Sequence, residues 1–263
     1  LYGWTLGPGC VDRVPVFLPR RCCGRLFGDS LREVDVDVVY EGPVGNLTEK
    51  LGDVSGSVIG YSGKLLVPER PACYHYRGLL RRSRATRVFS PISKVDLESK
   101  VVRTYHYEVE YDELVNTMPL HYFLSKSGLG ELSSRLTYTS AFVLTLISRT
   151  GLKGYTKVFV GHRGFSLGYV ASYGETPAGG LVYAFVPMPR GFMRAELTSR
   201  TLSELKRLRL VEGPIAFIRS FFLKYFRMEG DADEAYGILR KSSVVLAGRY
   251  GTWKDASICD ICT

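Results

Sequence analysis

Val34, Val36, Val38 and Tyr40 alternate with Asp35 and Asp37. That period of two predicts a strand with one face in a core and the other in water. Residues 41–63 are punctuated by Gly42, Pro43, Gly45, Gly52, Gly56, Gly60 and Gly63, which predicts turns. Residues 64–68 predict a short extended piece. From residue 87 the pattern sharpens, and 87–90, 92–96, 100–110 and 113–116 predict successive strands. In the longest of these, Val101, Arg103, Tyr105, Tyr107 and Val109 share one face; Val102, Thr104, His106, Glu108 and Glu110 share the other. Residues 120–124 predict a helix. Residues 135–148, rich in Thr, Tyr, Val and Phe, predict a strand. Segments 157–160, 166–171 and 180–186 predict a meander, with Pro187 and Pro189 stopping its last strand. Leu197, Leu202, Leu205 and Leu208 place one apolar face on a helix over 195–210. Phe217, Phe221, Phe222, Tyr225 and Phe226 mark an element with one core face. A short helix over 231–239 leads into Val244-Val245-Leu246-Ala247, an apolar strand that stops at Gly248-Arg249-Tyr250-Gly251. Strands and helices mixed in this order predict an α/β (α+β) chain.

A length of 263 residues accommodates one large or two small domains. No apolar run approaches the roughly 18 residues that a membrane-spanning helix needs. The net charge of +9 suits nucleic acid, an anionic membrane surface or a phosphorylated ligand. Arg77, Arg81, Arg82, Arg84 and Arg87, with His75 and the apolar Tyr74, Tyr76, Leu79 and Leu80, form either an anion-binding surface or a solvated helix face. The basic residues are scattered and no nucleic-acid motif is present, which disfavours nucleic acid. A basic binding protein or a cofactor-free remnant stands as the alternative from another class. Of six cysteines, Cys259 and Cys262 form a CxxC, but Cys22-Cys23 is adjacent rather than spaced, so no metal site is expected. The chain has no Gln and only Asn46 and Asn116, a depletion of thermolabile amides that fits a heat-adapted organism. His75, His106, His121 and His162 have no recognisable partner in sequence, so no catalytic residue is assigned. The chain begins at Leu1 and its last helix signal has barely begun at Thr263, which reads as a fragment; no signal peptide is visible, and the expected location is cytoplasmic.

The motif richest in chemistry is the terminal one. Gly248 and Gly251 permit a backbone path too tight for a Cβ. Arg249 supplies a fixed cation. Strand, glycine turn and incipient helix is an arrangement that brings backbone close to a phosphate. Two segments together resemble the amine-oxidase-like FAD-dependent flavoproteins. Residues 110–120, Glu-Tyr-Asp-Glu-Leu-Val-Asn-Thr-Met-Pro-Leu, are similar to the stretch where those chains return from their substrate domain. Residues 244–255 resemble their C-terminal flavin-contacting motif, in wording close to the UDP-galactopyranose mutase and protoporphyrinogen-oxidase-like branch.

The resemblance implies a discontinuous FAD-binding Rossmann-like domain with an antiparallel-sheet substrate domain. The N-terminal βαβ unit is missing, because no Gly-x-Gly-x-x-Gly opens this chain. Residues 88–120 and 231–263 would belong to the FAD domain and 121–230 to the substrate domain, with 1–87 a substrate-domain or helical part. The implied cofactor contacts are Thr117, Pro119, Gly248, Arg249, Tyr250, Gly251, Trp253, Ile258 and Cys259. The implied substrate is a small molecule or a sugar nucleotide, with Arg163, Tyr169 and Tyr173 available to a diphosphate. Two reactions follow from the resemblance: hydride transfer to FAD, or a mutase-type ring contraction on the reduced flavin.

Overall fold

The computed structural model describes residues 3–6, 9–19, 30–52, 58–71, 84–86, 88–188 and 196–254. In chain order the elements begin with β1 (Gly3–Leu6), β2 (Gly9–Asp12), β3 (Leu18–Pro19), β4 (Leu31–Glu41), α1 (Gly45–Leu51) and β5 (Gly63–Pro68). There follow β6 (Ile92–Asp96), β7 (Val101–Thr104), β8 (Glu108–Glu110), β9 (Leu114–Asn116), α2 (Leu120–Lys126) and α3 (Gly130–Ser134). Next come β10 (Thr137–Gly151), β11 (Tyr155–Val160), β12 (Tyr169–Thr176) and β13 (Gly179–Met188). The chain then forms α4 (Leu197–Arg207), β14 (Val211–Glu229), α5 (Asp233–Lys241), β15 (Val244–Leu246) and α6 (Gly248–Gly251). The described residues fall into two compact units. Unit one draws on Leu1–Arg82 and Thr139–Phe226, and unit two on Ser83–Tyr138 and Arg227–Ile261. None of the described helices is long and apolar enough to cross a membrane.

Unit one is built on an eight-stranded sheet in the order β14-β10-β13-β12-β11-β4-β5-β3. Neighbours β10–β13, β13–β12, β12–β11, β4–β5 and β5–β3 are antiparallel, and β11 pairs with β4 in parallel. Residues 141–148 of β10 are all buried, so this strand is covered on both sides. On one face Val36, Val143, Phe159, Tyr169, Tyr183 and Phe185 share a core. On the other, Leu144, Leu146, Val158, Val170, Val182 and Ala184 meet Leu197 and Leu205 of α4. In α4, Leu197, Thr201, Glu204 and Leu205 are buried, the spacing of one helical face.

Two charged side chains organise the 161–168 loop. The Lys50 amine of α1 donates to the carbonyls of Val160 (2.9 Å), His162 (2.7 Å) and Leu167 (3.0 Å). The Glu204 carboxylate accepts from the amides of Ser166 and Leu167, each at 2.9 Å, and from Arg200 Nε at 3.0 Å. Burial opposes the Glu204 charge, but those amides and Arg200 hold its carboxyl below the usual range.

Five expectations from the sequence are corrected. Within 41–63, where turns were expected, α1 forms, because Leu47 and Leu51 present one buried face and Gly52, at φ 69°, ends the helix. Residues 100–110 form a hairpin rather than one strand: Thr104 Oγ1 accepts from the amides of His106 (3.2 Å) and Tyr107 (2.9 Å) and bends the chain. Residues 88–90 are not extended in a sheet, and the strand expected from 166 starts at Tyr169 because the loop is held by Lys50 and Glu204. The strand β13 runs through Pro187 to Met188. The Phe185 carbonyl accepts from the amide of Gly168, so Pro187, two residues on, faces the same side, beyond the paired length of β12, where no N–H is required. Most of the basic 74–87 segment and the CxxC lie outside the described residues.

Unit two contains the antiparallel sheet β6-β7-β8, the parallel pair β9–β15, and α2, α3, α5 and α6. Strands 92–96 and 114–116, helix 120–126 and helix 233–241 follow the sequence pattern closely.

Lys157 gives a pH-dependent test of unit one. Its amine is fully buried, and burial pushes its pKa down to about 7. Folding therefore releases a proton between about pH 7 and the unfolded value near 10.5, and stability rises with pH across that interval. Chemical denaturation should show a gain on the order of 2–3 kcal/mol between pH 7 and pH 9.5. Lys157→Met should flatten that rise; an unchanged slope would contradict the assignment.

Candidate functional site

The strands β9 and β15 run parallel in the register Leu114↔Val244, Val115↔Val245, Asn116↔Leu246, so their carboxyl ends lie side by side. Asn116 and Val244 are buried, while Val115 and Val245 sit opposite each other and exposed. Two segments leave this shared end, Thr117-Met118-Pro119 into α2 and Ala247 into α6.

Asn116 is the pivot of both exits. Its side-chain Oδ1 accepts from the amide of Met118 at 3.0 Å, and Nδ2 donates to the Met118 carbonyl at 3.2 Å. Its backbone carbonyl accepts from the amide of Ala247 at 2.9 Å. Gly251 packs directly on the same carbonyl, and a Cβ at this position would stand 2.3 Å from the Asn116 oxygen. Gly248 has a different role. Its φ is 75°, and among the described residues a Cβ there would meet nothing within 4 Å, so it serves the backbone path. The helical turn starts at Gly248 itself, where the sequence pattern had placed a turn ahead of a later helix.

The surrounding residues are mostly apolar. Ile92, Val95, Val102, Leu114 and Phe123 line a cleft of about 90 Å³ with Val115, Asn116, Thr117 and Met118. Thr117 is exposed and Pro119 half-buried at its edge. The Arg249 guanidinium lies 5.8 Å from the Tyr250 ring. Trp253 is a rivet of the unit: buried, it donates from Nε1 to the Glu229 carbonyl at 2.9 Å, and its ring centroid lies 5.1 Å from that of His121. The Tyr236 hydroxyl donates to the Thr252 carbonyl behind it. Ile258 and Cys259 lie outside the described residues.

The three residues expected at the substrate are in unit one. Arg163 is exposed on the 161–168 loop, with Nε donating to Asn46 Oδ1 at 3.2 Å and Nη2 3.4 Å from Glu49. Tyr169 is fully buried on the aromatic face of the large sheet. Tyr173 is half-buried beside it and donates to the Val16 carbonyl at 2.8 Å. Asn116 was missed from the sequence as an organising residue; its identity as one of only two asparagines was the available signal. Among the described residues no cluster of His, Cys, Asp or Glu could hold a metal ion.

Gly251→Ala tests the close approach. The added methyl cannot be accommodated without moving the Asn116 backbone, so thermal denaturation should show a loss of about 2 kcal/mol. Gly248→Ala should cost about 1 kcal/mol through φ alone.

No family model and no curated sequence matches the chain. Solved structures do. A reduced UDP-galactopyranose mutase superposes with TM-score 0.65 at 12% identity, over 76% of this chain and 50% of that one. A candidate protoporphyrinogen oxidase from Exiguobacterium sp. 255-15 gives 0.59 at 17% identity, over 75% and 49%. A putrescine oxidase redesigned in its cofactor binding gives 0.52 at 12%, over 76% and 52%. The chain thus spans about half the length of these structures, and over that span it shares their mixed α/β fold.

Proposed function

We propose that this chain forms part of an FAD-dependent oxidoreductase of the amine-oxidase or protoporphyrinogen-oxidase type, acting on a small molecule in the cytoplasm. The observation that carries the reading is the shared carboxyl end of β9 and β15, which sets Thr117 beside the Gly248–Gly251 turn. Ligands of open α/β sheets collect at such ends. A parallel pair with one exposed face fits a larger parallel sheet, since such sheets are normally covered on both sides.

The residues present fit one side of the cofactor. Gly248, which has no Cβ, lets a ligand approach the backbone, and the apolar cleft beside Thr117 can exclude water. The cleft is far smaller than the roughly 300 Å³ at which ligand pockets begin, so it is one wall and not an enclosure. When bound, the flavin supplies hydride acceptance. Of this chain's residues, Thr117 and Pro119 would border the cofactor, Arg249 would place a cation by its diphosphate or ribityl chain, and Gly248, Tyr250 and Gly251 would hold the backbone path. Trp253 would act from behind, by fixing that path to Glu229. A mutase-type isomerisation of a sugar nucleotide is the second reading, supported by the superposition on UDP-galactopyranose mutase.

The test is flavin binding by the whole gene product. Protein purified after supply of FAD should show flavin absorbance and quenched flavin fluorescence. Arg249→Ala should weaken FAD at least about tenfold, or about 1.4 kcal/mol. A colourless full-length protein that takes up no FAD would sink both readings. Reduction of the bound flavin by amines or porphyrinogen-like compounds favours the oxidase; turnover of a sugar nucleotide only after chemical reduction favours the mutase.

A further inference from the structure

Residues 12–18 lie as a strap across the aromatic face of the large sheet in unit one. The Tyr183 hydroxyl donates to the Asp12 carbonyl at 2.9 Å, and the Tyr173 hydroxyl donates to the Val16 carbonyl at 2.8 Å. Phe17, 3% exposed, is inserted between them and the sheet. Its ring meets Tyr173 edge-on at 5.2 Å and Tyr155 at 6.4 Å, and the Lys157 amine lies 4.6 Å from its centroid.

What lies under the strap is a set of donors. The Lys157 amine is fully buried and donates to the carbonyls of Ile59 (3.1 Å) and Tyr61 (2.6 Å). Among the described residues no carboxylate pairs with it. Thr145, opposite Tyr183 in register, is fully buried, and among the described residues its hydroxyl has no hydrogen-bond partner. At the rim, the Arg32 guanidinium donates to the Tyr155 hydroxyl and lies 5.6 Å from its ring. Burying an ammonium without a counter-charge costs several kcal/mol, and a buried hydroxyl without a partner adds to that. Plain core packing would replace both by apolar groups. The strap sets the Phe17 ring against the Lys157 amine, and its two backbone carbonyls accept from the Tyr173 and Tyr183 hydroxyls.

We propose that this face is a binding site for an aromatic carboxylate, and that residues 12–18 occupy it as a built-in surrogate. Phe17 stands for the ring of the ligand and the strap's carbonyls for its acceptor oxygens. The carboxylate pairs with Lys157, and the Tyr173 hydroxyl, released from the Val16 carbonyl, completes its hydrogen bonds. The site stands apart from the flavin reading, because none of its residues belongs to the proposed cofactor wall.

Isothermal titration of the full chain with phenylacetate tests it, with phenylacetamide, acetate and toluene as controls. Phe17→Ala should bind phenylacetate at least tenfold more tightly than the unsubstituted protein and tenfold more tightly than phenylacetamide. Adding Lys157→Met should abolish that preference. Equal binding of acid and amide, or a preference for toluene, means a dry cavity and overturns the proposal, as does an unchanged affinity. If Phe17→Ala fails to fold, hydrogen exchange decides on the native protein. Saturating phenylacetate should speed amide exchange in residues 12–18, and unchanged or slower exchange overturns the proposal.

Discussion

An eight-stranded sheet whose central strands are buried on both sides has to be covered twice, and unit one is arranged around that requirement. One cover is α4, whose apolar stripe meets Leu144, Leu146, Val158 and Val170. The other is assembled from α1 and the strap over Val36, Val143, Phe159 and Tyr183. The loop between β11 and β12 lies between these covers. Lys50 holds it from one and Glu204 from the other, so a single loop ties both layers to the sheet. The charge on each is supported by fixed backbone dipoles, which makes a half-buried amine and a buried carboxylate tolerable.

Unit two solves a smaller problem with tighter contacts. A two-stranded parallel ladder of three residue pairs has little intrinsic stability, and its ends are fixed by backbone. The Asn116 carbonyl takes the amide of Ala247, and Gly251 closes on the same oxygen. Trp253 then locks the exit to Glu229. This economy places two chemically useful segments beside each other, and it explains why glycine is needed at 248 for its φ and at 251 for its size.

Much of this was legible in the chain. Strand β4 followed from valine–aspartate alternation, and α4 from its leucine spacing, because each has one partner face and a clear period. Helix α1 was hidden among glycines, since its seven residues carry only Leu47 and Leu51 as a pattern. The 104–107 bend was hidden too: its alternation continues unbroken, and a single threonine hydroxyl decides the turn. The two asparagines could be counted but not interpreted. Asn46 holds the Gly161 carbonyl and Arg163, and Asn116 holds Met118, and neither duty leaves a periodic trace.

The sequence by itself determined which segments extend, which coil, and that a glycine-flanked arginine follows the last apolar strand. Those are local properties, set by side-chain period and by the φ that glycine allows. Only the tertiary structure decided that β15 lies parallel to β9, that Asn116 meets Gly251, and that Phe17 sits over a buried lysine. These contacts join residues more than 100 positions apart. They are selected by how buried polar groups find partners across the fold, and that is a property of the folded whole.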